Sequence, residues 1–417
     1  MKAFVAWIAI TLTTIFSTIT CAKNILITDI SKDSANNWKV TYRSKAPISS
    51  LQLAITKDDS RLERWRIVDK GFEFRQSNGL DTLFRRDGGQ FTQVSFSLTP
   101  TYIHLPKYYA PFSPFSDGSM LFHSARFFAC PELCSGIENL WYIRLTAPKN
   151  ETIIIDGMVT NGSASWYDYN DGKKVYVGGL APSEFANLLA VVDPSLPDKV
   201  TTTLNQFLPK AFALLSNKIR PLEQKPTLFA SLGENSDDKY GRQGGVLPNQ
   251  IFMHWYGKLG KLDYFDLLWF YAHEAVHIFQ GIEQMNIDNA NAWIHEGHAD
   301  YLASVLLLNF YPEAKSYVEE RINRAAKSCV TSLETLALEE FSNNGKYKEL
   351  YDCGLYYYSS LAAASNDKEN MPYSFWRLVV NESLATSKID MSSVERVSKQ
   401  LVDEDKVRQI VVNLKGK

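Results

Sequence analysis

Apolar and polar positions alternate in short runs through the first half of the chain. Residues 38–42 read Trp-Lys-Val-Thr-Tyr and residues 94–98 read Val-Ser-Phe-Ser-Leu, so every second side chain is apolar, as in a strand with one buried face. Apolar runs at 141–145 and 153–155 indicate further strands, with glycine- and asparagine-containing turns between them. We therefore expect residues 23–192 to form a β-rich, sandwich-like domain.

The pattern changes near residue 193. From Leu204 to Ile219 apolar residues recur every three or four positions, which is the period of a helix with one buried face. Short apolar runs at 227–232 and 249–255 predict strands, with a glycine-rich, flexible segment at 241–245 between them. Long helices are expected over about 262–283 and 290–310, and the remainder also reads as helical. The predicted fold class is therefore α+β, with a β-rich domain at 23–192 and a mainly helical domain at 193–417.

The N-terminus predicts export. A positive charge at Lys2 precedes an apolar run to Ile19, and small residues precede Lys23, an order typical of a secretory signal peptide over residues 1–22. An uncleaved membrane anchor and a lipid-modified Cys21 are the alternatives. No later segment has the length and hydropathy of a membrane span, so we expect a periplasmic or secreted protein without membrane association after cleavage.

Cleavage would leave an even number of cysteines, which permits disulfides in an exported protein: Cys130, Cys134, Cys329 and Cys353. The first two could close a local loop, and the last two could join C-terminal segments. A zinc site built from all four thiolates is the weaker alternative, because the second pair lacks the close spacing of metal ligands.

Composition narrows the function. The 417 residues are 45% hydrophobic and 22% charged, which excludes a wholly disordered chain. The 44 Lys and Arg and 46 Asp and Glu give a net charge of −2, without the basic surplus of a dedicated nucleic-acid binder. Only seven histidines occur, and five of them lie between His254 and His298, which directs attention to that segment.

The segment contains His273-Glu274-Ala-Val-His277 within a predicted helix. Residues four apart share a helix face, so both imidazoles can bind one metal ion. Glu274, next to the first histidine, can hold a water molecule on that metal as a general base. Buried structural histidines are the alternative explanation for this motif.

A third ligand is predicted on the following helix. Eighteen residues, 278–295, separate His277 from Glu296, which lies in the run Trp293-Ile-His-Glu296-Gly. 

Glu296 is the proposed third ligand, because a catalytic zinc site requires three protein ligands beside an open position. Asp300 lies four residues after Glu296 on the same face, where it could accept the free ring N–H of a ligand histidine. His295 is expected to flank this helix. His298 is expected to pack or face solvent, and it is the better placed of the two for a substrate contact.

With these residues in view, the chain resembles the gluzincin metallopeptidases, most closely the aminopeptidase N-type and glycyl aminopeptidase-type families. The resemblance rests on His273–His277, on Glu296 and on the Trp-x-x-Glu-Gly context, and it covers about residues 200–360. It implies a thermolysin-like catalytic domain behind an N-terminal β domain, one Zn²⁺ held by the two histidines and Glu296, and a peptide or protein substrate.

Two further positions follow from the resemblance. The families place an oxyanion-stabilising tyrosine in a Tyr-x-x-Gly context, which Tyr351-Asp-Cys-Gly354 matches. They also place Gly-x-Met-Glu-Asn on a substrate-binding strand, where its glutamate holds the free amino group of the substrate. Here Gly245-Val-Leu-Pro248-Asn249 has proline at that position, which puts strict aminopeptidase activity in doubt. Glu234 or another carboxylate could replace it, and the strand formed by Gly244, Gly245 and Asn249 could still bind substrate backbone.

The sequence thus predicts an exported zinc metallopeptidase in which Glu274 is the general base and Tyr351 stabilises the oxyanion. Two alternatives remain open at this stage. One is a zinc hydrolase that acts on a non-peptide substrate, and the other is a binding protein that keeps an inactive gluzincin fold.

Overall fold

A computed structural model of the chain describes residues 26–55, 60–105, 108–134, 140–233, 240–257 and 264–415. The predicted signal peptide at 1–22 and Glu234 lie outside the described residues. The strands are β1 Leu26–Lys32, β2 Trp38–Ile48, β3 Ser50–Leu53, β4 Trp65–Ile67, β5 Phe72–Ser77, β6 Leu80–Arg85, β7 Phe91–Leu98, β8 Phe112–Pro114, β9 Met120–His123, β10 Ala129–Pro131, β11 Trp141–Thr146, β12 Thr152–Ile155, β13 Met158–Asn161, β14 Ser163–Asp168, β15 Lys174–Gly178, β16 Ser183–Glu184, β17 Leu189–Val192, β18 Thr227–Gly233, β19 Gly241–Leu247 and β20 Gln250–Tyr256. The helices are α1 Ser60–Arg64, α2 Asp198–Lys218, α3 Tyr264–Gln280, α4 Trp293–Phe310, α5 Lys315–Leu333, α6 Tyr347–Ala364, α7 Met371–Ala385, α8 Met391–Ser398 and α9 Glu404–Lys415.

The N-terminal domain consists of three packed sheets. Their strand orders are β14-β11-β1-β2-β7-β4, β10-β3-β6-β5 and β13-β12-β15-β9-β8. The apolar members of the alternating runs, such as Val40 and Phe96, are fully buried, as predicted. Two of the polar members are buried as well, and Thr41 and Ser95 hydrogen bond to each other at 3.1 Å across β2 and β7. The alternation predicted that this face of the strands would be exposed to solvent. Instead it is buried at this point, and the two hydroxyl groups satisfy each other's hydrogen bonds.

A mainly helical domain follows, so the predicted α+β fold class is confirmed. Its sheet has the order β16-β17-β18-β20-β19, in which β17, β18 and β20 are parallel and β19 runs antiparallel at the edge. The sheet begins at β16, ahead of the predicted domain boundary at residue 193, because β17 pairs with β18 rather than with an N-terminal strand. An apolar cluster that includes Tyr176 and Phe229 joins the two domains.

Helix α3 is the centre of the second domain. It packs against α2 on one side and α4 on another, and nearly all of its residues from Leu267 to Gln280 are buried. Both long helices predicted from the apolar period are present. Helix α3 lies two or three residues inside the predicted range at each end, and α4 begins three residues late and ends at the predicted residue 310. Within the described residues, no helix combines the length and hydropathy that a membrane span requires.

The glycine-rich segment at 241–245 is not the flexible connection that we expected. It forms most of β19, which pairs with β20 over its whole length. A side chain at Gly241 would overlap the ring of Tyr256, and one at Gly244 would overlap the backbone of Phe252. These glycines therefore permit close approach of neighbouring groups rather than mobility.

The placement of Asn249 also differs from the prediction. It lies in the turn between β19 and β20 rather than on the strand, and its φ of 56° is in the left-handed region that asparagine tolerates. Its carbonyl accepts a hydrogen bond from the backbone N–H of Thr227 at 2.9 Å, which fixes the turn against β18.

Both predicted cysteine pairs form disulfides, Cys130 with Cys134 and Cys329 with Cys353. The second pair joins α5 to α6, two helices that also pack along their length. Each of the four sulfurs belongs to one of these two disulfides, so a zinc site built from four thiolates is excluded in this structure.

Candidate metal centre

Three predicted ligands converge at one point between α3 and α4. The Nε2 atoms of His273 and His277, one turn apart on α3, lie 3.0 Å from each other. Each of them lies 3.1 Å from Oε2 of Glu296, which projects from the first turn of α4. Among the described residues, this is the group of His, Cys, Asp and Glu side chains whose ligand atoms are close enough to hold one metal ion.

Neighbouring groups fix the tautomer of both histidines. Nδ1 of His273 lies 3.0 Å from Oδ1 of Asp300, which as a carboxylate can only accept, so that nitrogen carries the proton. Nδ1 of His277 lies 2.6 Å from Oε1 of Gln280, whose amide nitrogen donates to the carbonyl of His295 at 2.9 Å. In the neutral rings both Nε2 atoms therefore bear lone pairs that face the carboxylate of Glu296.

Such an arrangement can hold a cation between the three atoms. Burial disfavours the charged imidazole of His273, but Asp300 and Glu296 outweigh it and raise the pKa of His273 well above its usual value. Tetrahedral zinc ligands at 2.0–2.1 Å lie about 3.3 Å apart, close to the observed separations. Two imidazole nitrogens and one carboxylate oxygen are also a donor set that zinc accepts. The residues present therefore fit a zinc ion.

Glu274 follows the first ligand on α3 and is only 8% exposed. Burial is the main cause that raises its pKa, and His273 and His277 act in the opposite direction. The carboxylate lines a cavity that also contains His273 and Tyr351. It is therefore beside the point where the three ligands meet, in contact with the open space of this cavity.

Tyr351, on α6, is brought to the same place. Its ring stacks on that of His273, with centroids 5.8 Å apart and planes inclined by 18°. Burial, followed by the charge of Glu296, raises the pKa of Tyr351, so the phenol keeps its proton as a hydrogen-bond donor.

Two glycines explain how α6 comes so close to α4. A methyl group on Gly297 would overlap backbone atoms of Gly354, and one on Gly354 would overlap Gly297 and the carbonyl of Trp293. The glycine after Glu296 and the glycine three residues after Tyr351 thus touch directly. The glycine in each sequence motif is therefore explained by packing, because the contact between the two glycines sets the distance between Tyr351 and the three ligands.

The other clustered histidines do not join the three ligands. His298 is fully buried, stacks on Trp376 with centroids 4.6 Å apart, and is not placed to contact a substrate. Its Nε2 donates to the carbonyl of Pro372 at 3.0 Å, and its Nδ1 accepts from the amide of Gln280 at 2.9 Å. His254 lies on β20, where its Nδ1 is 2.8 Å from the hydroxyl of Ser231.

Gln280 is the residue of the site that the sequence prediction missed. It is 1% exposed and joins His298 to His277 through its amide. The available signal was a glutamine three residues after a predicted ligand on the same helix face, in a segment that is otherwise apolar.

Two cavities lie on either side of the three ligands. One, of about 410 Å³, is lined by His273, Glu274 and Tyr351 among others. The other, of about 320 Å³, is lined by His277, by residues 246–249 and by Tyr109 of the N-terminal domain. Edge strand β19 contributes to both, because Arg242 lines the first cavity.

The open side of β19 faces away from β20. The phenol of Tyr109 donates to the carbonyl of Val246 at 2.9 Å, which marks that carbonyl as one on the open side. Backbone groups alternate in direction along a strand, so those of Gly244 point the same way. Pro248 lies beyond the strand in the turn and lines the second cavity together with the carboxylates of Asp171 and Glu283.

Taken together, the fold and the buried three-ligand centre with an adjacent glutamate define a candidate metallohydrolase. No protein-family model matches the sequence, and no curated protein matches it. Among solved structures, an M1 zinc metallopeptidase from Deinococcus radiodurans, solved as a mutant with a Tyr-Ser-Ala substrate, is similar over 94% of both chains, with a TM-score of 0.52 and 11% identity. Native yeast LTA4 hydrolase is similar over 93% of this chain and 66% of its own, with a TM-score of 0.51 and 13% identity. The chain therefore has the two-domain fold of the M1 metallopeptidase and spans about two thirds of the length of the yeast enzyme.

Proposed function

We propose that the chain is a zinc-dependent metallopeptidase that hydrolyses peptide bonds. The observation that carries this proposal is the meeting of two imidazole lone pairs and a carboxylate oxygen at 3.0–3.1 Å, with Glu274 beside them. The similarity of fold to zinc metallopeptidases supports it. The ligand motif also supports a place among the gluzincins, of the aminopeptidase N type.

Zinc bound at this point would polarise the scissile carbonyl and lower the pKa of its water toward ~7. Glu274 holds the attacking water, accepts its proton and passes that proton to the leaving amine. The phenol of Tyr351 donates a hydrogen bond to the carbonyl oxygen as negative charge develops on it.

Edge strand β19 is the proposed substrate-binding strand. A peptide laid along its open side would extend the five-stranded sheet and form main-chain hydrogen bonds with Gly244. This position places the peptide between the strand and α3, whose residues His273 and Glu274 face the first cavity. A substrate-binding role for Asn249 would have to come from the turn, through the second cavity.

We also propose export to the periplasm or the medium. The charged and apolar N-terminal pattern of residues 1–22 supports it, and so do two disulfides, which persist in oxidising compartments.

The test of the proposed function is Glu274→Gln, assayed on a peptide library with free and acetylated N-termini, with and without a chelator. We expect wild-type cleavage that the chelator abolishes, and a loss of about 10²–10⁴-fold in kcat for the variant while its zinc content stays at the wild-type level. Glu319→Gln removes the same charge from a side chain that is 60% exposed on α5 and should behave as wild type. Wild-type turnover by Glu274→Gln would contradict the mechanism.

A second candidate is a zinc hydrolase of a non-peptide substrate. The observation that favours it is Pro248, which occupies the position of the expected amine-binding glutamate and has no charge to offer. One of the fold neighbours is also an LTA4 hydrolase by name. The peptide library distinguishes the two, since this candidate predicts a zinc-loaded protein that cleaves no peptide in either form.

A further inference from the structure

The first cavity receives the leaving half of the substrate. Glu274, which returns the proton to the leaving amine, lines this cavity and does not line the second one. Arg242, near the start of β19, belongs to the first cavity, and residues 246–249 belong to the second. A substrate along β19 therefore runs antiparallel to it, with the amino-terminal half near residues 246–249 and the carboxyl-terminal half near Arg242.

Two arginines from different elements meet in this cavity. Arg242 of β19 and Arg321 of α5 both pair with the carboxylate of Asp266 on α3, Arg321 at 3.2 Å. The guanidinium of Arg321 also lies over the ring of Trp269, 4.3 Å from its centroid, and donates to the hydroxyl of Tyr317 at 2.9 Å. These contacts hold both planar groups in fixed orientations.

The arginine pair has capacity for a further anion. Each guanidinium has five N–H donors, and among the described residues the two groups share one carboxylate. Their side chains are 29% and 31% exposed, so solvent and ligands reach them. A bound carboxylate would match the fork geometry that arginine presents.

The charged groups of the cavity show where an anion could bind. The charged side chains that line it are three cations and four anions: Arg242, Arg321, Lys348, Asp266, Glu274, Asp300 and Asp352. Lys348 pairs with Asp352, and Asp266 pairs with both arginines. The cavity as a whole therefore has no surplus positive charge, and an anion would be bound by the two partly exposed guanidinium groups themselves.

The distance along the strand limits the length of that leaving group. For a scissile bond opposite Gly244, Arg242 lies two residues along β19 on the leaving side, which corresponds to about 7 Å at the rise of a β-strand. Within such a span a substrate main chain can place only one or two residues. Among groups at that distance, the free C-terminus of a short peptide is the carboxylate that every substrate sequence supplies.

We propose that Arg242 and Arg321 bind the free C-terminal carboxylate of short peptides, so that the enzyme prefers a leaving group of one or two residues. This inference rests on the proposed peptidase function and names its substrate class.

The experiment compares tripeptides and tetrapeptides that have a free C-terminus with the same peptides carrying a C-terminal amide. For the wild type we expect a kcat/KM ratio of free acid to amide on the order of 10-fold to 100-fold, as expected for loss of a charge-assisted, bidentate contact. In Arg242→Gln and Arg321→Gln the ratio should fall to within about threefold of unity. Arg324→Gln, on the same helix α5 but with a side chain that is 65% exposed, should keep the wild-type ratio.

Binding provides a second readout that does not depend on turnover. The inhibition constants of a product dipeptide and its amide should differ in the wild type and converge in Arg242→Gln, with zinc content and Tm measured to show that the variants are folded. Equal wild-type cleavage of acid and amide, or a preference that survives in both arginine variants, would overturn the carboxylate site and leave the peptidase function intact. Failure of the wild type to cleave any of the peptides would overturn both.

Discussion

Helices α3 and α4 each carry two histidines and acidic residues, but only the histidines of α3 are among the three ligands. His295 of α4 lies beside them, with its Nδ1 3.7 Å from Oε1 of Glu296 and its ring 5.6 Å from that of His277. His273 and His277 are four residues apart and share a face. On α4 the ligand is Glu296, and His295 and His298 lie one residue before and two residues after it, about 100° and 200° around the helix axis. Asp300, four residues after Glu296, faces the same way as the carboxylate and contacts His273. The four side chains are all imidazoles, so it is their position around the helix axis that makes the α3 pair ligands and the α4 pair not.

His298 is not a ligand, but it supports one. His298 accepts from Gln280, and Gln280 accepts from His277. A buried hydrogen-bond chain therefore extends from α4 to a ligand on α3 and fixes its tautomer. The two helices are coupled in both directions, because Asp300 of α4 does the same for His273.

The largest expected effect is on zinc affinity, when a ligand histidine of α3 is replaced and the loss is compared with that for a supporting histidine of α4. His277→Ala removes a ligand and should abolish both zinc retention and activity. His298→Ala removes only the support behind it and should weaken zinc affinity by about 10–100-fold. His104→Ala, an exposed position outside both helices, should change neither. Competition with a calibrated chelator measures all three, and equal zinc affinities for His277→Ala and His298→Ala would contradict the distinction.

Tyr351→Phe should have the next largest effect. Loss of one donor to a developing oxyanion costs about 10²–10³-fold in kcat, and KM and zinc content should stay close to wild type. The matched control is Tyr347→Phe, one turn earlier on α6 with a side chain that is 43% exposed. If both variants lose the same activity, the phenol of Tyr351 has no special part in the reaction.

Gly354→Ala tests the contact between α4 and α6. Alanine favours a helix over glycine by about 1 kcal/mol, but overpacking costs about 1–3 kcal/mol, and here the added methyl would overlap backbone that no rotamer change can move. We expect a lower Tm, by about 2–4 °C per kcal/mol, together with reduced activity because Tyr351 moves away from the three ligands. Gly179→Ala, whose methyl would meet nothing closer than 3.9 Å, is the control. An unchanged Tm and activity for Gly354→Ala would mean that the helices adjust freely.

Much of this arrangement could be predicted from the sequence, because the relevant signals are local. The spacing of His273 and His277, and of Glu296 and Asp300, is a property of one helix each, and the alternation in β2 and β7 is a property of one strand each. These features do not depend on how distant segments meet.

The features that could not be predicted depend on tertiary contacts. The segment at 241–245 reads as flexible by composition, but Tyr256 and Phe252 approach it so closely that only glycine fits. Gln280 and His298 act through each other across two helices, and Arg242 and Arg321 meet only because both pair with Asp266. No periodicity within one element reports such pairings.

The central claim is that His273, His277 and Glu296 together hold zinc. X-ray absorption at the zinc edge of the purified protein tests it most directly, with His298→Ala measured alongside. We predict one zinc per chain with nitrogen and oxygen ligands only, at about 2.0–2.1 Å, and the same ligand set in His298→Ala reconstituted with excess zinc. Sulfur ligands at about 2.3 Å, or a wild-type protein that binds no zinc, would contradict the account.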